Sequence, residues 1–199
     1  MQCLQKMGEQ MGKIVGGMTL SLDGFVSDSH GDVSRLYPDL GELGETDMLQ
    51  EEIRTTGAVV MGRHSYNMGD PDSFADSYEF QVPIFVLTHR IPEKKPKETK
   101  TLSITFVTDG VESAIAKAKA AAGEKNVILI GASMNQQCID VGLCDELHIG
   151  MMPVLFGSGL RLFEHIDVAN ITLEKIKVFE SGARTDIWFR VINQNNKRE

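Results

Sequence analysis

Residues 127–165 place the tightest constraint on how this chain can fold. A short apolar run, Val127–Ile130, stops at three small residues, Gly131-Ala132-Ser133. A helical pattern follows over Met134–Val141, and a second apolar strand runs over Glu146–Met151. A strand that ends in small residues and opens a helix leaves several backbone N–H groups pointing outward. The positive end of the helix lies behind them, so phosphate can sit there. Many ordinary βα units share such a corner, so by itself it sets the local topology and leaves the ligand open.

The arrangement recurs along the chain. Gly57–Met61 reads as a buried strand followed at once by Gly62-Arg63-His64-Ser65-Tyr66, and Val82–Thr88 as another followed by His89-Arg90. Lys13–Leu22 and Ile104–Thr108 add two more strands. Asp47–Thr55 has the pattern of a short helix, with Thr46 or Asp47 placed to cap it. Val111–Ala122 sets Val111, Ala114, Ile115 and Ala118 on one helical face, with lysines opposite. Ile171–Glu180 and Arg184–Ile192 read as two closing strands joined by a hairpin turn at Ser181-Gly182. Residues 23–46 show little periodicity and read as a long, mobile loop, and Gly157, Ser158 and Gly159 belong to another.

Apolar strands alternating with helices predict an α/β domain: a mainly parallel sheet, covered on both faces, with an antiparallel end. Ligands of such sheets lie beyond the carboxyl ends of the strands. Three of those ends carry candidate phosphate contacts: Gly62-Arg63-His64-Ser65, Thr88-His89-Arg90 and Gly131-Ala132-Ser133. Their convergence on one edge predicts an extended anionic ligand with at least two phosphate positions.

Composition narrows the function classes. The chain has 199 residues, enough for one sizeable core, with 42% hydrophobic and 24% charged residues. No apolar run approaches the ~20 residues needed to cross a bilayer. The first dozen residues lack the apolar middle of a secretion signal, which predicts a cytoplasmic protein. Residues 1–12 are expected to form a disordered extension, with Met11 a candidate natural start, residues 13–193 the folded domain and 194–199 a tail. Cys3, Cys138 and Cys144 show no C-x-x-C spacing, which argues against zinc and against a disulfide framework. Cys138 and Cys144 suit packing, as do Met18, Met61, Met134, Met151 and Met152, and no metal is expected. A net charge of −8 argues against a nucleic-acid partner. The basic stretch Lys94-Lys95-Pro96-Lys97, flanked by Glu93 and Glu98, reads as a solvated loop.

Four segments resemble the dihydrofolate reductase superfamily, in particular the branch containing the reductase (C-terminal) domain of bacterial riboflavin biosynthesis. They are Ser21-Leu22-Asp23-Gly24-Phe25, VVMGRHSY at 59–66, FVLTH at 85–89 and the long segment at 130–163. The resemblance implies a three-layer α/β/α dihydrofolate reductase-like fold, its sheet mixed but mostly parallel with a C-terminal antiparallel hairpin. It also implies NADPH as cofactor and a pyrimidine- or pteridine-type heterocycle as substrate.

By the same resemblance, Gly62 and Arg63 face the adenosine-side phosphates, where a guanidinium fork suits a phosphate monoester. His64 and Ser65 open the following helix toward pyrophosphate. Thr88, His89 and Arg90 hold the adenosine ribose and its 2′-phosphate. Gly131, Ala132, Ser133, Met134 and Asn135 form the second phosphate-binding turn, and Thr19 and Val26 flank the nicotinamide.

Competing roles stay open beside these. Arg63 also fits a surface arginine paired with a carboxylate, His64 a plain helix-start residue, and Asp23 the Leu22-Asp23-Gly24 turn alone. Relatives often have a Gly-Gly pair at the phosphate turn, where this chain has Ile130-Gly131. Riboflavin-pathway reductases often carry a carboxylate two residues before the turn glycine, where this chain has Leu129. Asp47 is the closest match to the substrate carboxylate of folate-reducing relatives, although a helix cap is its competing role; Glu51 and Glu52 are the alternatives one turn later.

Two other functions remain alongside an aminopyrimidine reductase: a dihydrofolate reductase acting on folate, and a non-catalytic dimeric NADP-binding protein. The apolar segment holding Leu155, Phe156, Leu160, Leu162 and Phe163 suits a homodimer contact, or simple packing against the sheet.

Overall fold

The computed structural model describes residues 12–38, 40–164 and 166–193. Residues 1–11 and the 194–199 tail, with Cys3 and Met11, lie outside the described residues. Gly12, expected at the end of the extension, is buried, and a Cβ there would meet the Lys125 carbonyl oxygen.

The strands are β1 (Ile14–Ser21), β2 (Phe25–Asp28), β3 (Thr56–Gly62), β4 (Ile84–Leu87), β5 (Ile104–Val107), β6 (Asn126–Ile130), β7 (Glu146–Met152), β8 (Gly159–Arg161), β9 (Ile171–Ser181) and β10 (Arg184–Asn193). Eight of them form one sheet in the order β5-β4-β3-β6-β1-β7-β10-β9. The pairs from β5 through to β7 are parallel; β10 runs antiparallel to β7, and β9 to β10. This is the mixed, mostly parallel sheet with a C-terminal hairpin that the sequence predicts. The hairpin turn falls at Gly182-Ala183, one residue later than expected.

The region from 23 to 46 corrects the sequence reading. It holds β2, a 3-10 turn at Ser34–Leu36 and the short helix α1 (Leu40–Gly44). β2 pairs antiparallel with β8, which lies in the segment expected to be a loop. Both strands are too short for periodicity to register, and each gains its hydrogen bonds only from the other. The remaining helices are α2 (Asp47–Thr55), α3 (Arg63–Tyr66), α4 (Ser73–Ser77), α5 (Val111–Ala122) and α6 (Ala132–Asp140). Among the described residues no helix is long and apolar enough to cross a membrane.

Strand alternation divides the core between the two faces of the sheet. Ala58 and Val60 of β3 pack with Val127, Leu129, Leu147 and Ile149 in a cluster closed by α5 and α6. Val59 and Met61 point the other way, into a cluster with Tyr66, Phe80, Ile84, Val86 and Leu102, against which Leu49 and Ile53 of α2 pack. The register carries this second face from Val59 through Ile128 to Val15 and Gly17 of β1, and on to His148 of β7. There the apolar lining stops and charged side chains begin.

Candidate active site

Because β3, β4 and β6 are parallel neighbours, their carboxyl ends lie on one edge of the sheet. The three predicted corners meet there, lining a single cleft of about 930 Å³ with Gly62, Arg63, His64, Ser65, Thr88, His89, Arg90, Gly131, Ala132, Ser133 and Met134 on its walls. Gly131 caps α6 at φ +97°, and a Cβ there would stand 2.3 Å from the Ser65 hydroxyl oxygen. The positive φ calls for glycine, while the hydroxyl contact can be relieved by a turn of the Ser65 side chain. Arg63 lies against the rings of Tyr66 and Phe106, and its Nη1 is buried without a hydrogen-bond partner. Among the described residues no carboxylate pairs with it, so the surface ion-pair reading of Arg63 is not what they show. The Thr88 hydroxyl accepts from the Arg90 N–H and donates to the Arg90 carbonyl, closing that corner on itself.

Some expected positions take other places. Asn135 is fully buried; its Oδ1 accepts from the Gly17 N–H at 2.8 Å and its Nδ2 donates to the Gly131 carbonyl at 3.0 Å. It ties the turn to β1 and is not free to meet a phosphate. Val26 is buried in the core and lines neither cleft. The helix expected after Gly62 is a single turn of four residues, too short to gather a macrodipole, so that corner offers local N–H groups alone.

A second, smaller cleft of about 190 Å³ opens on the polar part of the same sheet face, and Gly131 lines both. Thr19, Gly150 and Asp186 stand side by side across β1, β7 and β10, and His148, Trp188 and Lys177 across β7, β10 and β9. Asp186 Oδ1 lies 2.8 Å from His148 Nε2, and Glu52 of α2 brings Oε1 to 3.4 Å from Nδ1. Trp188 stacks on the imidazole with ring centroids 4.0 Å apart. Buried Arg184 donates to the Thr19 hydroxyl at 2.9 Å and to the Leu36 carbonyl at 3.2 Å. Arg184 Nη1 also lies 3.9 Å from Asp186 Oδ1, and Gly150 makes room for the two, since a Cβ there would meet Arg184 Nη1 at 2.6 Å and Asp186 Oδ1 at 2.9 Å.

Burial of His148 opposes its charge, but the hydrogen bonds it donates to Asp186 and Glu52 outweigh this and raise the imidazole to about 9. One oxygen of Asp186, Oδ2, is buried without a hydrogen-bond partner among the described residues.

The acidic helix residues sort clearly. Asp47 is exposed in the first turn of α2 and does not line the cleft; the Thr46 hydroxyl, which accepts from the Leu49 N–H, is the cap. Glu51 is exposed and pairs with Arg54. Glu52 alone of the three lines the cleft. His148, Arg184 and Asp186 went unnoticed in the sequence. Their signal was Arg184-x-Asp186-x-Trp188, two charges at strand spacing inside a closing strand.

Asp23, read as a turn residue, does more. The Ser21 hydroxyl donates to it, as do the N–H groups of Phe156 and Gly157, holding its carboxyl down at about 2. It clamps the turn after β1 to the 156–157 loop. Leu129 is wholly buried in the core. Burial pushes the Cys138 and Cys144 thiols up to about 12, consistent with packing. Among the described residues no group of three or more His, Cys, Asp or Glu is arranged to hold a metal ion.

The sequence model for the RibD C-terminal domain matches residues 13–185. The chain belongs to that family. Two uncharacterized proteins of Bacillus subtilis (strain 168) are similar: YyaP, 26% identical over 186 residues, covering 85% of this chain and 90% of YyaP; and YwjB, 24% identical over 159 residues, covering 77% and 84%. Among solved structures, a Shewanella sp. PV-4 protein provisionally placed in riboflavin biosynthesis superposes with a TM-score of 0.74 at 21% identity, covering 91% of this chain and 99% of its own. The deaminase/5-amino-6-(5-phosphoribosylamino)uracil reductase of Thermotoga maritima gives 0.66 at 14% identity, over 92% of this chain and 57% of that longer one. Enterococcus faecalis dihydrofolate reductase, complexed with NADP(H), gives 0.58 at 17% identity, over 91% and 97%. The fold of this RibD C-terminal domain protein is therefore dihydrofolate reductase-like.

Proposed function

We propose that this protein is an NADPH-dependent reductase that transfers a hydride to a pyrimidine- or pteridine-type heterocycle. The observation that carries the reading is the meeting of the two clefts at Gly131. One is long, with three phosphate-type corners and an unpartnered guanidinium nitrogen; the other is small and charged. An extended dinucleotide in the long cleft would direct its far end toward the small one. The residues present fit that cofactor: Arg63 offers a buried donor with no other claim on it, and Gly131 keeps the turn clear of side chains.

When bound, NADPH supplies the hydride. The chain's own part is to orient the heterocycle, exclude water and supply a proton. Thr19 and the Tyr37 and Leu43 side of the 23–46 region line the small cleft, and Glu52 takes the carboxylate role that the resemblance assigned to Asp47. Family membership supports an aminopyrimidine of the riboflavin type over folate. With Leu129 buried where such reductases often hold a carboxylate, the acidic contact falls to Glu52 on α2.

Thermal unfolding of the purified protein with NADPH, NADH or neither tests the cofactor. Protection by NADPH well above that by NADH is expected; equal shifts, or none, remove the role of Arg63. NADPH oxidation across a panel of aminopyrimidines and pteridines then tests turnover. A non-catalytic dimeric NADP-binding protein is the second reading, favoured by the exposure of Leu155, Leu160 and Phe163. It predicts NADPH protection without consumption, and light scattering that rises with concentration toward twice the monomer mass.

A further inference from the structure

The small cleft holds more ionisable chemistry than hydride transfer requires, and its arrangement assigns a source for the proton. Both ring nitrogens of His148 face carboxylate oxygens, Nε2 toward Asp186 and Nδ1 toward Glu52. A neutral imidazole has one N–H and one lone pair, so one of those contacts would set a lone pair against an anion. Two donors satisfy both, and the ring is an imidazolium. Trp188, stacked on it, keeps the ring plane fixed between the two acids.

The three side chains are graded in exposure. The Glu52 side chain is 21% exposed, that of His148 14% and that of Asp186 2%. The chain of contacts is therefore closed at Asp186 and open at Glu52. A proton stored on His148 leaves and returns by the Glu52 end.

We propose that His148 is the proton reservoir of the reduction, held between Asp186 and Glu52 and discharged through Glu52 to the atom beside the carbon that receives hydride. This rests on the reductase reading above. For a C=N bond in the substrate, carbon gains the hydride and its electron pair, the π pair moves to nitrogen, and nitrogen takes a proton relayed by Glu52, whose carboxylate receives the Nδ1 proton of the imidazolium as it delivers one. His148 becomes neutral while Glu52 and Asp186 stay ionised. The heterocycle gains two hydrogens and two electrons, and the nicotinamide is left oxidised. Solvent then restores the imidazolium through Glu52.

The other charges facing the cluster do not replace this role. Arg184, on β10, is buried, and it is permanently protonated. Lys177, on β9, has its ammonium over the Trp188 ring. Glu79, before β4, lines the same cleft, where desolvation and the neighbouring Glu52 charge raise its carboxyl above the ordinary range, but among the described residues it makes no hydrogen bond to His148. The high pKa of His148, about 9, agrees with a store that is full at neutral pH.

The test uses the whole protein, with and without NADPH. NMR titration of the His148 ring in the cofactor-free protein should find it protonated well above the ordinary histidine range, and Asp186→Asn should lower that pKa by roughly 1–3 pH units. In turnover, kcat should fall as pH rises through the His148 value, and the fall should move to lower pH in Asp186→Asn. Glu52→Gln should cut kcat about 10²-fold or more while NADPH protection stays intact. Because Asp186 is buried, Glu52→Gln, on the more open side, provides a second variant should Asp186→Asn fail to fold.

An ordinary His148 pKa overturns the reservoir while NADPH protection and turnover would leave the reductase standing. A raised pKa with a kcat profile that neither variant moves reduces His148 to a structural ion pair and also overturns it. Absence of NADPH protection, or of turnover on any heterocycle, fails the reductase reading and takes the delivery step with it.

Discussion

The two clefts share Gly131 yet are built on opposite principles. The long cleft is made at strand ends, from runs of adjacent residues whose turn and helix-start chemistry is local: 62–65, 88–90 and 131–134. The small cleft is made on a sheet face, from Thr19, Glu52, His148, Arg184 and Asp186, which come from three strands and one helix far apart in sequence. One kind of site depends on backbone conformation and the other on the mutual neutralisation of buried charges. Changes to the two should therefore fail in different ways.

The largest effect should come from the buried charges. Asp186→Ala leaves the His148 imidazolium with its closest counter-charge gone, and breaking such a pair costs about 3–5 kcal/mol. Urea unfolding near pH 6 should register it. A loss of under about 1 kcal/mol would mean that the cluster is hydrated like a surface ion pair and that the contrast between the clefts is false.

The pH dependence of stability sharpens the same point. His148 has its pKa raised from 6.5 to about 9 on folding. The stabilisation is complete below 6.5, the unfolded value, and is lost as pH climbs through about 9. At 1.36 kcal/mol per pKa unit the loss is roughly 3 kcal/mol. Melting curves from pH 6 to 9.5 should show it in the native protein and not in His148→Gln.

How much was legible follows from this contrast. The parallel sheet, the helices α2 and α5 and all three corners could be read because each is signalled within about ten consecutive residues. The β2–β8 ribbon could not, since three or four residues carry no period and the partner strand lies some 130 positions away. The charged cluster was hidden for a related reason. A lone His in β7 and two charges in β10 look like ordinary strand polarity until register sets Asp186 opposite Gly150 and Trp188 opposite His148. On α2 the resemblance pointed to Asp47 as the substrate acid, helix-start preference pointed to a cap at the same residue, and Glu51 and Glu52 stood as alternatives; only the helix's docking angle decides which carboxylate reaches the sheet.

At the shared residue, Gly131→Ala should cost about 1–3 kcal/mol for a side chain at positive φ. A hydroxyl can rotate away, so adding Ser65→Ala should recover the steric part and leave the backbone part. Calorimetry on the single and double variants separates the two. If the double variant is fully restored, the turn was held by packing alone.

Arg63→Ala should lower affinity for NADPH by about 10–100-fold, equivalent to roughly 1.4–2.8 kcal/mol, with far less effect on NADH. Titration calorimetry with both cofactors checks this. Since Nη1 makes no hydrogen bond among the described residues, none there is lost with it. Equal weakening of the two cofactors would assign Arg63 to the shared pyrophosphate instead of the 2′-phosphate.

The smallest effect separates Asp47 from Glu52 on α2. Thr46→Ala removes the cap hydrogen bond to the Leu49 N–H and should cost about 1 kcal/mol in urea unfolding. Asp47→Asn, exposed and outside the cleft, should cost a few tenths through the helix dipole alone. Neither should move the His148 titration, because Glu52 sits in the second turn, where the helix is held by its own ladder and by Leu49 and Ile53 against the sheet. If Asp47→Asn shifted that titration, or lowered kcat as far as Glu52→Gln, the helix would be presenting its first turn to the substrate. The charge on the sheet face would then be a support for the fold and not part of the chemistry.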